Sequence, residues 1–287
     1  MTRPTARHLW QVVEPIHAVV YFSPEPLGAL EDVGYRGFWM GYFAQRAAPF
    51  GVATPELVEA TFFNFTHSRV HRALPSAWEY APPQAALTAR VEGSVRALER
   101  IGAAAPGVLG AAAGVADLAL LAAGSAPVSG LPLYAANRAV TIPEAPLARL
   151  WHACTLLREH RGDGHVAALV SAGIGGRESH VLHALDSGMP PEMYRPSRDF
   201  TREEWASCVA TLASRGLVAD GRLSTAGKAL KAEIESRTDA LAERAYATLN
   251  DAELGTLYEG MRPLSQAIAR SGDLPTQTPI GLDLSQV

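Results

Sequence analysis

The 287-residue sequence has only two cysteines, and they lie far apart in the chain. Because Cys154 and Cys208 form no CxxC pair, a disulfide framework and a cysteine-rich zinc site are both excluded, and a reducing compartment is favoured. Positive charge is also not in excess, since the net charge at pH 7 is -4. The sequence therefore excludes the whole-protein basic field that is typical of nucleic-acid-binding proteins.

Signals for secretion and for a membrane span are also missing. No hydrophobic signal core follows the first eight residues. The most apolar stretch, residues 107–124, contains Asp117 and several glycines. It falls short of the roughly 20 strongly apolar residues that a membrane span needs. We therefore expect a buried helix there, no membrane partner and a cytoplasmic location.

Motifs for cofactors and nucleophilic catalysis are absent. The sequence has no G-x-S-x-G, and no Lys-Ser/Thr follows the glycine run 173–176, so neither a P-loop nor a dinucleotide fingerprint is supported. The pairs His67/His71 and His180/His183 could each share a helix face, but no carboxylate at the HExxH position accompanies them. We expect no cofactor and no metal.

What the sequence does contain is an internal repeat. A Trp is followed after seven residues by an Arg and after thirty-two by a His, and the pattern recurs about 112 residues later. The members are Trp39, Arg46 and His71, then Trp151, Arg158 and His183. The repeat predicts two similar helical domains with a functional cleft between them. Chance similarity between two amphipathic helix pairs is the alternative.

Capping residues, prolines and glycines predict a mainly α-helical chain. The predicted helices span residues 9–22, 34–48, 55–65, 68–74, 83–101, 104–124, 147–160, 165–172, 178–185, 202–215 and 226–249. Asp163 is expected to cap the helix at 165–172. The predicted domains are 1–125, a degenerate winged-helix-like unit, and 147–270, with a linker at 126–146 and a loosely ordered tail at 271–287.

The second half resembles a MarR-type winged helix-turn-helix domain. Residues 212–218 (LASRGLV) and 223–230 (LSTAGKAL) are similar to the end of the recognition helix, the wing and the start of the dimerisation helix in that family. Short β-type runs around Asp220-Gly221 predict the wing hairpin. The resemblance implies two MarR-like halves that form an intrachain pseudo-dimer, with a small β-hairpin wing only in the second half.

The whole chain also resembles an actinobacterial family of predicted helix-turn-helix proteins that has no assigned activity. The resemblance is carried by residues 14–22 (EPIHAVVYF), 37–44 (GFWMGYFA) and 157–169 (LREHRGDGHVAAL). It implies a fold but supplies no chemistry.

DNA reading is disfavoured by the local charge. The predicted recognition helix at 202–215 carries two arginines and two glutamates, and Asp220 offsets Arg222 in the wing. A binder that makes many phosphate contacts needs a denser basic stripe. The residues that could contact DNA are Arg195, Arg198, Arg202 and Arg222.

The leading hypothesis is a small-molecule-binding protein that uses an aromatic and polar cleft between the halves. Polar-tipped aromatic residues suit a hydrophobic or planar ligand, although such residues more often build a core. The predicted ligand-binding residues are His17, Tyr21, Trp39, Tyr42, Arg46, Asn64, His71, Trp151, Arg158 and His183.

Two other functions remain open. One is a ligand-responsive MarR-like transcriptional regulator. The other is an enzyme of specialised metabolism, in which Arg158 grips a ligand and His160 or His165 moves a proton. The chain could act as a monomeric pseudo-dimer or as a homodimer.

Overall fold

The computed structural model describes residues 3–276 together with residues 281 and 284, and these are mainly α-helical. The first half contains α1 (Ala6–Phe22), α2 (Pro24–Asp32), α3 (Gly37–Ala47), α4 (Pro55–Phe62), α5 (His67–Ala73), α6 (Ala77–Tyr80), α7 (Pro83–Ala103), α8 (Val108–Gly114) and α9 (Ala116–Ser125). The second half contains α10 (Pro132–Arg138), α11 (Pro146–Ser171), α12 (Gly176–Ser187), α13 (Tyr194–Arg198), α14 (Arg202–Ser214), β1 (Val218–Ala219), β2 (Arg222–Leu223), α15 (Thr225–Glu243) and α16 (Asp251–Ser271). Three short 3-10 helices occur at Ala48–Phe50, Pro191–Met193 and Arg244–Tyr246.

The largest hydrophobic core is shared by both halves of the sequence. Helix α1 of the first half packs against α11 and α16 of the second. Trp151 of α11 is completely buried in this core beside apolar residues of α1, α9 and α16. Burial of this apolar surface is the main force that holds the two halves together. The predicted domains are thus two stretches of sequence around one central helical core.

Two smaller lobes flank the central core. The first lobe (α2–α6) has its own core around Phe43, Phe62 and Leu74. The second lobe (α12–α14 with the β-hairpin) is built around residues such as Leu182 and Leu212. The lobes come from different halves of the chain.

The β-hairpin predicted around Asp220-Gly221 is confirmed. Strands β1 and β2 are antiparallel, with Val218 opposite Leu223 and Ala219 opposite Arg222. The two turn residues have φ of 50° and 70°, which is the conformation that a two-residue hairpin turn needs.

The predicted helix break at residues 161–164 is wrong. Helix α11 runs without interruption from Pro146 to Ser171. An interior glycine destabilises a helix by only about 1 kcal/mol, and Gly164 allows α11 to pack closely on Leu241 of α15. Asp163 caps a different helix, because its Oδ2 accepts a 2.9 Å hydrogen bond from the backbone N–H of Tyr134 in α10.

The predicted helix at 104–124 is divided into two helices. Helices α8 and α9 meet at Val115. Within the described residues, the segment 108–125, with a mean hydropathy of 1.7, is long and apolar enough by composition alone to span a membrane. Ala112, Ala119 and Ala122 are fully buried in the central core, but only 33% of the segment is buried and Leu121 is 53% exposed. The expectation of a buried helix therefore holds only in part, and the cytoplasmic location stays a prediction.

Part of the tail, which was predicted to be loosely ordered, packs against the rest of the protein. Asp273 Oδ2 accepts hydrogen bonds of 2.6 Å from Ser23 and 2.5 Å from Arg100. Leu274 and Leu284 are both buried. The remainder of the predicted tail, residues 277–280, 282–283 and 285–287, lies outside the described residues.

Candidate functional site

A cavity of about 410 Å³ lies between the two lobes, above the central helices. Its wall is densely charged. The lining cations are Arg7, Arg46, Arg158, Arg161, Arg198 and Lys231, and the lining carboxylates are Glu14, Glu159, Asp163, Asp186 and Glu235. A cavity of this composition favours a polar or ionic ligand over the hydrophobic or planar one expected from the aromatic content.

Close backbone contacts position the wall that the first lobe contributes. Phe63 ends α4 with φ of 56°, and a Cβ on Gly176 at the start of α12 would overlap its carbonyl oxygen. Arg177 Nη1 then donates to the carbonyl oxygens of Asn64, at 3.4 Å, and Arg198, at 2.7 Å. The loop after α4 and the start of α12 are thus fixed together at the edge of the cavity.

A second connection between the lobes is ionic. Asp199, which follows α13, accepts hydrogen bonds from Arg69 and from Arg72, the latter at 3.1 Å. The Arg69 guanidinium also lies 4.0 Å from the centre of the Trp39 ring. Trp39 therefore supports the ion pair that joins the lobes, and the cavity lining does not include it.

The arginines of the sequence repeat meet in the wall of the cavity. Arg46 Nη2 lies 3.5 Å from Glu159 Oε2, and Arg158 Nη1 lies 2.8 Å from the same oxygen. Arg158 Nε is also 3.5 Å from Glu14 Oε1, and Arg46 Nη1 donates 2.9 Å to the Tyr42 hydroxyl. Two cations and two carboxylates therefore compensate one another at this point.

Arg198 has no such compensation. It is only 8% exposed, and no carboxylate of the described residues lies within salt-bridge distance of it. Burial lowers the pKa of Arg198, and the positive charge of Arg46 lowers it further. His180 is buried as well. Its burial, together with a smaller effect of the positive charge of Arg198, holds the pKa of His180 well below its usual value. This end of the cavity is therefore positive, and an anionic group would complement it.

Hydrogen bonding at Arg198 is also incomplete. Its Nη1 donates 2.9 Å to the carbonyl oxygen of Ser197, whereas its buried Nε has no partner among the described residues. The guanidinium lies 4.7 Å from the centre of the Phe65 ring, which holds it in place. Arg46 also has a buried Nε without a partner in the described part of the chain. Both arginines thus have a buried donor whose hydrogen bond is not satisfied within the described residues.

Asp163 is a cavity residue that the sequence analysis missed, because it was read only as a helix cap. Burial raises the pKa of its carboxyl to about 7, and the nearby charge of Glu159 contributes to the increase. Asp163 therefore changes its charge close to neutral pH. The sequence signal that could have identified it is a carboxylate between two glycines, Gly162 and Gly164, within the charged segment 158–165.

Apart from Trp39, the predicted ligand-binding residues divide into three groups. Those that line the cavity are Tyr42, Arg46, Asn64, Arg158 and His183. Beneath it are His17, Tyr21 and Trp151, where His17 is 2.9 Å from the Tyr21 hydroxyl and stacks on Trp151. His71 lies on the outside of the first lobe beside Glu59.

The two predicted acid–base histidines occupy different surroundings. His165 lines the cavity, and its Nδ1 lies 2.9 Å from Thr238 Oγ1. His160 packs edge-on against Tyr134 and does not line the cavity. Burial lowers the pKa of each to about 4, so both imidazoles are neutral at pH 7.

The fold can now be compared with known proteins. A sequence model of a helix-turn-helix family matches residues 6–275. The chain belongs to this helix-turn-helix family. The match extends from α1 to beyond α16, so it includes both lobes and the central core. No curated protein and no solved structure matches the chain.

The helix that was predicted to read DNA is α14, which precedes the β-hairpin in the second lobe. Its exposed residues are Arg202, Glu203, Ala206, Ser207, Ala210, Thr211, Ala213 and Ser214. They include one cation, Arg202, and the neighbouring carboxylate of Glu203 offsets its charge. Outside α14, Arg195 and Arg222 are also exposed, whereas Arg198 is buried in the cavity wall.

Proposed function

We propose that this helix-turn-helix protein binds a small polar molecule with a negatively charged group in the cavity between its lobes. The observation that carries the proposal is the positive end of the cavity at Arg198 and Arg46. Arg198 is a buried guanidinium with no carboxylate partner in the described residues, and it faces a second arginine. A buried cation without a partner is strongly unfavourable, and a bound anion removes that penalty.

The shape and rigidity of the cavity support the same proposal. Its volume of about 410 Å³ is within the range of about 300–1,000 Å³ that is usual for small-molecule sites. The guanidinium of Arg46 lies 4.1 Å from the centre of the Phe62 ring, and Phe65 supports Arg198 in a similar way. Side chains that are held in place before binding lose little entropy when a ligand arrives.

The rest of the wall can recognise the remainder of a polar ligand. Asn64 and Tyr42 offer amide and hydroxyl groups. Asp163 is partly protonated near neutral pH, so its carboxyl can donate a hydrogen bond to a ligand oxygen. The ligand class is therefore a small carboxylate or phosphate compound with further polar groups.

The proposal also includes a weakened DNA-reading role for the second lobe. The exposed residues of α14 include only one cation, Arg202, beside Glu203, and Arg215 at the end of the helix donates to the carbonyl oxygens of Gly173 and Ala172. Phosphate contacts supply most of the affinity of proteins for DNA. A helix-turn-helix unit with such a surface fits a structural wall of the cavity better than a reading head.

A thermal-shift screen tests the ligand class. The probes are inorganic phosphate, glycerol 3-phosphate, succinate and citrate, with glycerol as the neutral comparison. A ligand that binds only the folded protein raises its melting temperature in a concentration-dependent way. We expect at least one anionic probe to do so in the wild type and not in Arg198→Met. Equal shifts in both proteins, or none with any probe, would contradict the proposal.

A further inference from the structure

Three side chains on the outer surface of the first lobe bring metal-ligating atoms together. Glu59 is on α4, and His67 and His71 lie one turn apart on α5. Glu59 Oε2 is 2.9 Å from His67 Nδ1 and 3.6 Å from His71 Nε2, and all three atoms lie within 4.8 Å of one another. This cluster is separate from the cavity residues.

From this arrangement we infer that the first lobe carries a transition-metal site of the Zn²⁺ class, with two imidazoles and one carboxylate as ligands. Zinc bonds of about 2.0–2.2 Å to nitrogen and oxygen place neighbouring tetrahedral ligands roughly 3.4 Å apart. The two distances to Glu59 Oε2, 2.9 and 3.6 Å, lie on either side of that value. Small side-chain rotations are therefore enough to complete the site.

The ligand set selects the type of metal. Imidazole nitrogen suits Zn²⁺, Ni²⁺, Cu²⁺ and Co²⁺, whereas Ca²⁺ and Mg²⁺ prefer sites made of oxygen atoms. Three protein ligands leave a fourth position for water. His67 is exposed, with 70% of its side chain accessible, so an ion can enter directly from solvent.

The present contacts of the two histidines also favour an ion. Their rings are stacked with centroids 3.8 Å apart, which brings the two imidazoles to one place on the surface. The buried His71 Nε2 has no hydrogen-bond partner among the described residues. A metal ion would use both ring nitrogens as neutral ligands and offset the charge of Glu59.

The sequence analysis considered His67 and His71 as ligands and found no carboxylate for them. Glu59 is missed because it lies on a different helix and precedes His67 by eight residues. The connection between α4 and α5 contains Phe63, Asn64 and Phe65, which line the cavity. Metal binding would join α4 to α5 and restrain that connection, but the site itself is independent of any ligand in the cavity.

A spectroscopic titration of the full chain tests the site. Protein that has been freed of metal with a chelator and then buffer-exchanged is titrated with Co²⁺, and the visible absorption of four-coordinate Co²⁺ is followed. Zn²⁺ is then added in competition. We expect one equivalent of Co²⁺ per chain to bind with a four-coordinate spectrum, and Zn²⁺ to abolish that spectrum.

Variants connect the signal to the proposed ligands. His71→Ala and Glu59→Gln should each weaken Co²⁺ binding by at least about 100-fold. Loss of a residue that only supports a ligand lowers metal affinity by up to about 100-fold, and loss of a ligand itself should cost at least as much. The matched control is Glu79→Gln, an exposed carboxylate on α6 of the same lobe, which should bind as the wild type does. Circular dichroism without metal verifies that each variant folds. Wild-type affinity in His71→Ala, or no four-coordinate spectrum in the wild type, would overturn the inference.

Discussion

Arg46 and Arg158, the two arginines of the sequence repeat, bind the same oxygen atom, Oε2 of Glu159. Their Nη2 and Nη1 atoms lie 3.5 Å and 2.8 Å from it. One arginine comes from α3 in the first lobe and the other from α11 in the central core. The repeat therefore brings two cations to one carboxylate in the wall of the cavity. That the repeat arose by duplication stays a prediction.

Loss of one of these arginines should destabilise the protein strongly. Arg158→Met removes one of the two cations that pair with Glu14 and Glu159, so that only Arg46 remains to balance the two buried carboxylates. Breaking a buried ion pair on one side costs about 3–5 kcal/mol. Urea denaturation measures the change in the free energy of unfolding. The control Arg202→Met, at an exposed site, should change it by no more than about 0.5 kcal/mol. Equal stability of the two variants would show that Arg158 is not needed to balance the carboxylates.

Asp163 should make stability depend on pH. Because burial raises its pKa from 3.8 to about 7, the native state keeps a proton that the unfolded chain releases between those values. The contribution of this residue to stability is therefore fully present in acid and is lost as pH rises towards 7. Asp163→Asn cannot release a proton, so its stability relative to the wild type should increase between about pH 5 and about pH 8.

A second variant separates the charge of Asp163 from its hydrogen bond. The amide oxygen of Asn can still accept from the backbone N–H of Tyr134, whereas Asp163→Ala loses this acceptor. The alanine variant should therefore be less stable than the asparagine variant at both pH values. If the difference in stability between Asp163→Asn and the wild type does not change with pH, Asp163 does not keep a proton in the native state, and the account is contradicted.

The close contact between the lobes should tolerate no side chain at position 176. A Cβ in Gly176→Ala would overlap the carbonyl oxygen of Phe63, so the wall of the cavity would have to move. Overpacking of this kind costs about 1–3 kcal/mol. In contrast, Gly255→Ala in α16 adds a methyl group where no atom lies within 4 Å, and it should stabilise the helix by about 0.5–1 kcal/mol. Chemical denaturation of both variants measures the contrast, which a neutral Gly176→Ala would refute.

Binding to DNA should be weak and without sequence preference. Electrophoretic mobility shift with genomic fragments should give no discrete complex at physiological salt, because the exposed residues of α14 include only one cation, Arg202, and Glu203 offsets it. Arg222 is exposed in the hairpin that follows. A discrete, salt-sensitive complex that disappears in Arg202→Ala would instead favour a transcriptional regulator.

Local sequence signals predicted the local structure well. Asp220-Gly221 specified the hairpin because both residues accept positive φ. Thr201 precedes α14 and caps it, since its side-chain oxygen accepts a hydrogen bond from the backbone N–H of Glu204. The glycines near Asp163 misled the prediction, since packing of α11 on α15 outweighs their low helix propensity.

The sequence identified part of the cavity wall. Arg46 and Arg158 came from the repeat, and Tyr42, Asn64 and His165 from their polar groups, and all five line the cavity. The roles of Arg198 and Asp163 depend on contacts between segments that are distant in sequence, such as Arg198 with Phe65. Tyr21 and Trp151 were expected to line the cavity but lie beneath it, because apolar burial draws aromatic side chains into the core.

The most direct test of the proposed function is calorimetric titration of the anionic probe that gives the largest thermal shift. Wild-type protein should bind one equivalent in the cavity, and Arg198→Met should bind it about 10–100-fold more weakly, because a hydrogen bond to a charged group contributes about 1.5–3 kcal/mol. The exposed-site variant Arg202→Met should bind with the affinity of the wild type. Equal affinity in wild type and Arg198→Met, or heat with glycerol as large as with the anion, would contradict an anion site at Arg198.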